Sequence, residues 1–256
     1  MITTDQPTIF DKKAVLAAIS AKNDGNMRFS SGQPAQVIAS REAWLQNVGT
    51  TAEQTVWMNV RDPQTWDMIY DATPDNFGSG MFDPATAITT DAIVTNHKNL
   101  ALVLMIADCN PVIVHDPVQQ AIALVHLGWQ STAANLASKV VHHLQQKYHS
   151  NPADLKIYNG PSIRAQSYTF EPPITQAGLP GWQPYLIDAG QGRVGIDLVG
   201  YNQQQFIDAG VQSDNIQISH VDTATSQHYF SHYRAAQQHA DAQEGRFAAL
   251  VQLITT

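Results

Sequence analysis

Four apolar runs between residues 91 and 127 dominate the pattern of the chain. They are DAIVT, LALVLMIAD, PVIVHD and AIALVHL, and short polar turns separate them. Their apolar positions are continuous rather than alternating, and β-branched residues are frequent in them. Such runs are typical of strands that are covered on both faces. The pattern therefore predicts a buried β-sheet at the centre of the fold.

Weaker patterns predict the elements around this sheet. β-Branched and aromatic residues indicate strands, and apolar residues at i, i+4 spacing indicate helices. Clusters of Gly, Pro, Asp and Asn indicate loops. The expected elements are a helix at 40–48 with Ser40 as its N-cap, a strand at 55–60, a surface loop at 71–87, a helix at 131–149, a strand at 155–163, a helix at 199–209 and a strand at 246–254.

The order of these elements predicts the fold class. No tract rich in Gly, Pro or Ser divides the chain, and no internal repeat is present. We therefore expect a single domain over residues 1–256. Its class is α/β (α+β), with a mixed β-sheet flanked by helices.

Composition limits the classes of function. Hydrophobic residues make up 43% of the 256 residues and charged residues 14%, as in a globular protein with a sizeable core. The net charge of -8 argues against binding to nucleic acid or to an anionic membrane, since both need basic clusters. No apolar stretch approaches the ~20 residues that span a bilayer, and no signal peptide is expected. A single cysteine forms no internal disulfide, so we expect a cytoplasmic location.

The single cysteine and a histidine seventeen positions later form the first candidate site. An Asp-Pro pair predicts a tight turn between PVIVHD and AIALVHL. If Asp116 faces Gln119, then Cys109 lies opposite His126, and opposed residues have Cβ atoms ~4.5–5.5 Å apart. The helix expected at 131–149 begins shortly afterwards, so its N-terminal N–H groups would favour an anion or a thiolate nearby.

The same residues also fit a purely structural role. A single cysteine in an apolar strand is most often a small buried hydrophobe, and a lone histidine is most often a hydrogen-bonded core residue. Asp108 favours a functional site, because a carboxylate is costly to bury at the end of a strand. The pattern alone leaves both interpretations open.

Several motifs together resemble the family of multicopper polyphenol oxidase or laccase-domain proteins. DAIVT, ADCNPV and HLGWQ are similar in order and spacing to the family pattern of about DALVT, TADCxPV and HAGWRG. Weaker similarities in DGNMRFSSG, SREAWL, NGPSI, YFSHYR and EGRFA extend the resemblance over nearly the whole chain. Members of this family are regarded as zinc-dependent purine nucleoside enzymes.

The resemblance implies a fold, a metal and a substrate class. The fold would be the cytotoxic necrotizing factor/laccase-domain-like cysteine hydrolase fold. Zinc would be held by two histidines and a cysteine, of which His126 and Cys109 match two, and a fourth position would stay open for chemistry. The implied reactions are phosphorolysis of adenosine, inosine, guanosine and methylthioadenosine, with phosphate as co-substrate, together with adenosine deamination.

The chain departs from the family pattern at the first zinc ligand. WMNVRD stands where the family has a Gln-Val-His-Gly segment, so Arg61 takes the place of the histidine. A guanidinium offers no lone pair and cannot bind zinc. A third ligand would have to come from His97, His220 or His232.

Other departures affect the expected substrate contacts. Gln130 replaces the Arg of HAGWRG, and Tyr233 replaces the first Arg of a late Arg pair. We expect a pocket where the two zinc-ligand matches, Cys109 and His126, meet Arg61 and the start of the 131–149 helix. The predicted catalytic residues are Cys109, His126, Arg61 and Asp108, and the predicted substrate-binding residues are Asn59, Gln130, Arg234 and Arg246.

Three functions remain open. The favoured one is a divergent purine nucleoside phosphorylase or adenosine deaminase-type enzyme that binds a small-molecule purine nucleoside and has lost one zinc ligand. The alternatives are a metal-independent Cys–His hydrolase or amidase, in which Arg61 helps to hold the thiolate, and a nucleoside-binding protein without turnover. A copper laccase is the weakest candidate, because the sequence lacks paired His-x-His runs.

Overall fold

A computed structural model describes residues 5–60, 64, 66–239 and 244–255, and within them the chain forms fourteen strands and five α-helices. The strands are β1 (Val15–Ile19), β2 (Thr55–Asn59), β3 (Ile69–Asp71), β4 (Ile88–Thr89), β5 (Ala92–Thr95), β6 (Ala101–Ile106), β7 (Asn110–Asp116), β8 (Ala121–Leu127), β9 (Lys156–Asn159), β10 (Thr169–Phe170), β11 (Leu186–Asp188), β12 (Val194–Ile196), β13 (Ile216–Ile218) and β14 (Phe247–Leu253). The helices are α1 (Pro34–Val48), α2 (Trp129–Ala133), α3 (Leu136–Tyr148), α4 (Leu198–Asp208) and α5 (His232–Gln237).

Most of the strands belong to two mixed β-sheets. The first has the strand order β1-β14-β6-β2-β4, and the second has the order β13-β9-β7-β8-β5-β3. In the first sheet β14 pairs antiparallel with both β1 and β6, so a late strand lies inside it. In the second sheet β7 pairs antiparallel with both β8 and β9. A third sheet has only three short strands, in the order β10-β12-β11.

The two large sheets pack face to face, and helices cover their outer faces. Helix α1 packs on the first sheet, and α3 and α4 pack on the second, so the layers are helix, sheet, sheet and helix. The central strands are therefore buried on both faces, which explains their continuous apolar runs. Core side chains between the sheets include Val56, Leu102, Leu104 and Val251 from the first sheet and Ile93, Ile113 and Leu124 from the second.

The prediction of a mixed α+β fold is confirmed. The four central runs form β5 to β8, and the strands expected at 55–60, 155–163 and 246–254 correspond to β2, β9 and β14. The sequence patterns indicated no regular element between residues 164 and 197, where the three-stranded sheet lies. That sheet packs around its own apolar cluster of Trp182, Ile196 and Leu198.

Two helix predictions were wrong in detail. Helix α1 begins at Pro34, so Ser40 lies inside it and is not its N-cap. The helix expected over 131–149 is divided into α2 and α3, because Asn135 adopts a left-handed conformation with φ of 59°. Helix α2 has only five residues, so the long helix begins at Leu136 and not beside His126. Among the described residues no helix combines the length and hydrophobicity needed to cross a bilayer.

The predicted register of the β7–β8 hairpin was also wrong, by two positions. Asp116 pairs with Ala121 instead of Gln119, and Pro111 pairs with His126. The loop contains four residues because Oδ1 of Asp116 accepts hydrogen bonds from the N–H groups of Val118 and Gln119, at 2.8 and 2.9 Å. Because a shift of two residues keeps each side chain on its predicted face, the error does not separate the histidine from the cysteine.

Candidate active site

Cys109 and His126 meet at one end of the second sheet. Cys109 precedes β7, His126 lies near the end of β8, and Gly128 follows that strand. A methyl group built on Gly128 would lie 3.2 Å from Sγ of Cys109 and 3.5 Å from Cε1 of His126. The thiol and the imidazole therefore lie against the same glycine, and any side chain there would crowd both.

Asp91 fixes the orientation of the His126 ring. Its Oδ1 lies 2.6 Å from Nδ1 of His126, and its main-chain oxygen accepts the N–H of His126 at 2.8 Å. The side chain of Asp91 is 1% exposed and that of His126 is 14% exposed, so water screens this ion pair little. With Nδ1 held by a carboxylate, Nε2 is the ring nitrogen that remains for chemistry.

This environment keeps a proton on His126. Burial lowers the pKa of the imidazole, but the charge of Cys109 and the hydrogen-bonded carboxylate of Asp91 outweigh it and raise the pKa to about 10. At neutral pH His126 is therefore an imidazolium that lies between a sulfur and a carboxylate. Cys109, His126 and Asp91 have the nucleophile, base and orienting-group arrangement of a catalytic triad.

Asp108 has a structural role beside the site, because both of its carboxylate oxygens accept hydrogen bonds from other segments. Its backbone has φ of 72°, which bends the chain between β6 and β7. One carboxylate oxygen accepts the hydroxyl of Thr223 at 2.6 Å, and the other accepts the N–H of Tyr233 at 2.7 Å. The carboxylate thus ties the loop after β13 and the start of α5 to the segment that carries Cys109.

The structure separates the predicted substrate-binding residues. Asn59 and Arg246 line one pocket of about 190 Å³, together with Arg28, Phe29 and Met105. We call this the arginine pocket. Met105 lies four residues before Cys109, so an extended chain places the two Cα atoms within ~14 Å of each other.

The other predicted substrate residues lie elsewhere. The guanidinium of Arg234 donates to the main-chain oxygens of Thr223, Ala224, Ser226 and Tyr229, so it holds a loop together. Gln130 is half-buried in α2 and lines neither the arginine pocket nor the pocket around Arg234. Arg61, predicted to be catalytic, lies outside the described residues.

Comparisons with known proteins agree with this arrangement. A model of the family described as multi-copper polyphenol oxidoreductase laccase matches residues 17–254. The chain belongs to this family. The resemblance predicted from the motifs around Cys109 and His126 is therefore confirmed.

The similarity to relatives within the family extends over most of their length. Purine nucleoside phosphorylase YlmD of Bacillus subtilis (strain 168) is 29% identical over 242 residues, which cover 89% of this chain and 86% of the relative. The crystal structure of YlmD from Geobacillus stearothermophilus has a TM-score of 0.84 at 25% identity and covers 97% of this chain and 94% of its own. The crystal structure of the hypothetical protein YfiH of Bacillus licheniformis has a TM-score of 0.83 at 27% identity. The match covers 93% of this chain and 92% of that chain.

The described residues do not fit the zinc site that the family resemblance implies. A catalytic zinc needs about three protein ligands, and Cys109 and His126 supply two. His97 and His220 are exposed, and Nδ1 of His232 lies 2.9 Å from Glu244 instead. Within the described part of the chain no three His, Cys, Asp or Glu side chains are grouped so that they could hold a metal.

Asp91 is a candidate functional residue that the sequence patterns did not identify. It begins the DAIVT motif and is fully buried, although it carries a charge. A carboxylate at the head of an apolar strand was the available signal, since such a group is buried only when it has a partner. The partner itself is thirty-five positions away, and only the pairing of β5 with β8 brings it close.

Proposed function

We propose that this chain cleaves the N-glycosidic bond of purine nucleosides by phosphorolysis. The observation that carries the proposal is the Cys109–His126 pair, joined to Asp91, in a chain whose family includes relatives named purine nucleoside phosphorylase. The substrate would be a purine nucleoside such as inosine, adenosine or methylthioadenosine, and phosphate would be the co-substrate.

His126 is the proposed proton donor. In phosphorolysis a phosphate oxygen forms a bond to C1′ of the ribose, the C1′–N9 bond breaks, and its electron pair goes to the purine. The departing purine then needs a proton, normally at N7. The raised pKa of His126 supports this role, because the imidazole is protonated at neutral pH and Asp91 leaves Nε2 toward the site.

The arginine pocket is the proposed phosphate site. Arg28 and Arg246 line it together with Asn59, and their guanidinium groups suit a phosphate dianion. Both also lie near Oε1 of Glu244, at 3.5 and 3.4 Å. A phosphate in this pocket would share the two arginines with the carboxylate of Glu244.

An incubation with nucleosides tests the proposal. Purified protein is given inosine, adenosine or methylthioadenosine, with and without phosphate, and the free base is measured by chromatography. We expect base release that depends on phosphate, and we expect Arg246→Met to raise the KM for phosphate. His126→Asn should lower kcat at least about a hundredfold, the contribution of a general acid. Base release without phosphate, or none, would reject the proposal.

Adenosine deamination is not part of this proposal. Deamination needs an activated water, which a zinc ion with three protein ligands normally supplies. The described residues offer two ligands, so we expect no ammonia from adenosine.

A second candidate is a metal-independent cysteine hydrolase or amidase. The triad-like order of Cys109, His126 and Asp91 favours it. In this reaction Sγ would attack a carbonyl carbon, the leaving amine would take the proton of His126, and water would release the acyl group. Cys109→Ser separates the two functions, because it would abolish hydrolysis and leave measurable phosphorolysis.

A further inference from the structure

A second pocket lies beside the Cys109–His126 pair, and the reaction outlined above does not use it. Its volume is about 340 Å³, within the range of small-molecule sites. We call it the aromatic pocket; its lining includes Trp129, Tyr168, Phe170, Glu171, Thr175 and Gln176, together with Pro173 and Ile174. The pocket is built largely by the segment 168–176, for which the sequence patterns indicated no element.

Two observations place the aromatic pocket near the candidate active site. Trp129 directly follows Gly128, which lies against the sulfur of Cys109 and the ring of His126. Tyr168 is close enough to sense the site electrostatically, because its pKa is raised by burial and then by the charges of Cys109 and Asp108. The aromatic pocket therefore lies close to Cys109.

The aromatic rings of the pocket hold one another in place. The rings of Tyr168 and Phe170 meet edge to face, with centroids 4.7 Å apart. Tyr168 also meets Tyr233 edge to face at 6.2 Å, and the N–H of Tyr233 is bound to Asp108. Fixed aromatic faces favour a flat heterocycle, because little rotamer freedom is lost when it stacks.

Gln176 is a buried polar group in this pocket, whose walls also include Glu171 and Thr175. It is 7% exposed and lines the aromatic pocket. Its side-chain amide forms no hydrogen bond to any of the residues that the structure describes, although a buried amide normally has partners. An amide offers a donor and an acceptor side by side, which matches the edge of a purine base.

We propose that the aromatic pocket binds the purine base, with Trp129, Tyr168 and Phe170 against its faces and Gln176 reading its edge. The inference rests on the proposed function and deepens it, since it assigns the base to one pocket and the phosphate to another. Gln176 is then a specificity residue, because stacking against the aromatic walls alone cannot distinguish a purine from another flat ring.

Binding without turnover provides the test. The Kd values of adenine and of inosine are measured by titration calorimetry in phosphate-free buffer, for the unaltered protein and for Phe170→Leu and Gln176→Leu. Each change should raise both Kd values about tenfold or more, since stacking and bidentate hydrogen bonds each contribute on that scale. The matched controls are Phe82→Leu, an exposed aromatic elsewhere, and Gln237→Leu on α5. Both should keep Kd within about twofold of the unaltered value.

The possible outcomes separate the two proposals. If the unaltered protein binds inosine and both pocket variants bind it equally well, the base lies elsewhere and the inference is wrong, whereas phosphorolysis still stands. Variants that lower kcat at unchanged Kd would also overturn the inference. If the unaltered protein neither binds nor cleaves any nucleoside, the proposed function fails and the inference fails with it.

Discussion

The imidazole of His126 lies between the side chains of Cys109 and Asp91, and both of them raise its pKa. Replacing Asp91 by Asn removes one of the two charges and keeps the shape of the side chain. We expect the pKa of His126 to fall from about 10 by about one unit or more, because an opposite charge at hydrogen-bond distance contributes that much. Titration of the histidine resonances by NMR measures the shift.

Asp75→Asn is the control for this titration, because that carboxylate lies on an exposed turn. An unchanged His126 pKa in Asp91→Asn would show that the carboxylate does not hold the proton. The folded pKa of His126 lies above the unfolded value of about 6.5. Its contribution to stability is therefore fully present below pH 6.5 and is lost as the pH rises through about 10.

Arg41 is a buried cation that the structure surrounds with main-chain oxygens. Its guanidinium donates to the carbonyl groups of Met27, Gly80 and Met81 at 2.7–2.9 Å. It also lies over the rings of Trp57 and Phe29, at 3.9 and 4.3 Å from their centroids. Burial lowers its pKa to about 9. No sequence pattern indicated this role, because the three carbonyl groups come from distant loops.

Arg41→Lys should destabilise the fold by about 2–3 kcal/mol, since an ammonium cannot reach three carbonyl groups in the fork geometry of a guanidinium. Urea unfolding measures the change. Lys98→Arg, at an exposed position, is the control for an exchange of the two cationic side chains and should cost less than about 0.5 kcal/mol. If the free energy of unfolding falls equally in both variants, the buried contacts of Arg41 contribute no more to stability than an exposed cation does.

Among the elements, the break between α2 and α3 changes the site most. Asn135 interrupts what the i, i+4 spacing predicts as one helix, and its left-handed backbone suits Asn or Gly. The short helix α2 then packs on α4, where Oγ1 of Thr132 lies 2.8 Å from Oδ1 of Asn202. The break therefore lets α2 set the position of Trp129 independently of α3.

Asn135→Leu should lower the free energy of unfolding by about 1 kcal/mol, because a branched side chain strains a left-handed backbone. Asn135→Gly should leave it nearly unchanged. Chemical denaturation compares the two variants. A stable Asn135→Leu would mean that the helix can continue through this position and that the break is not enforced by the backbone.

The elements that the sequence predicted well are those with local signals. Strands β5 to β8 are mostly apolar, because sheets and helices cover both their faces. Strands β10 to β12 have two or three residues each, too few for any periodicity to appear. The predicted register of the β7–β8 hairpin was wrong because hydrogen bonds to Asp116 set the four-residue turn, and the turn sequence alone does not reveal them. Strands with a long run of apolar residues could therefore be predicted from the sequence, whereas the very short strands and the pairing register could not.

Across the whole molecule, the candidate site was predictable only in part. Cys109 and His126 were identified because they lie in recognisable motifs along one hairpin. Asp91 was not, because only the pairing of β5 with β8 brings it to His126. The aromatic pocket was not predicted either, because it combines α2 with the segment 168–176, which has no clear sequence pattern. Arg234 was predicted to bind substrate because it is a charged residue in a family motif. In the structure its guanidinium donates to main-chain oxygens instead.

The pH stability of the molecule should depend on His115 in the core between the sheets. It is 2% exposed, and burial lowers its pKa to about 4, against weaker opposing effects of Asp116 and Asp11. The unfolded chain takes up this proton near pH 6.5, so stability is complete above that pH and is lost as the pH falls toward 4. His115→Phe should flatten this slope, which is at most ~1.4 kcal/mol per pH unit.

Unfolding free energies between pH 4.5 and 7 test this expectation. His142→Phe is the control, because His142 lies exposed on α3 and should leave the slope as it is. A His115→Phe variant with the slope of the unaltered protein would assign the acid sensitivity to other groups.

The interior position of β14 has a consequence for biosynthesis. This strand is held between β1, which leaves the ribosome early, and β6, and its residues fill the core between the sheets. Until residue 253 has emerged, the first sheet has a gap and the apolar edges of β1 and β6 are unpaired. The first sheet should therefore form only after β14 has been synthesised, rather than strand by strand as the chain emerges.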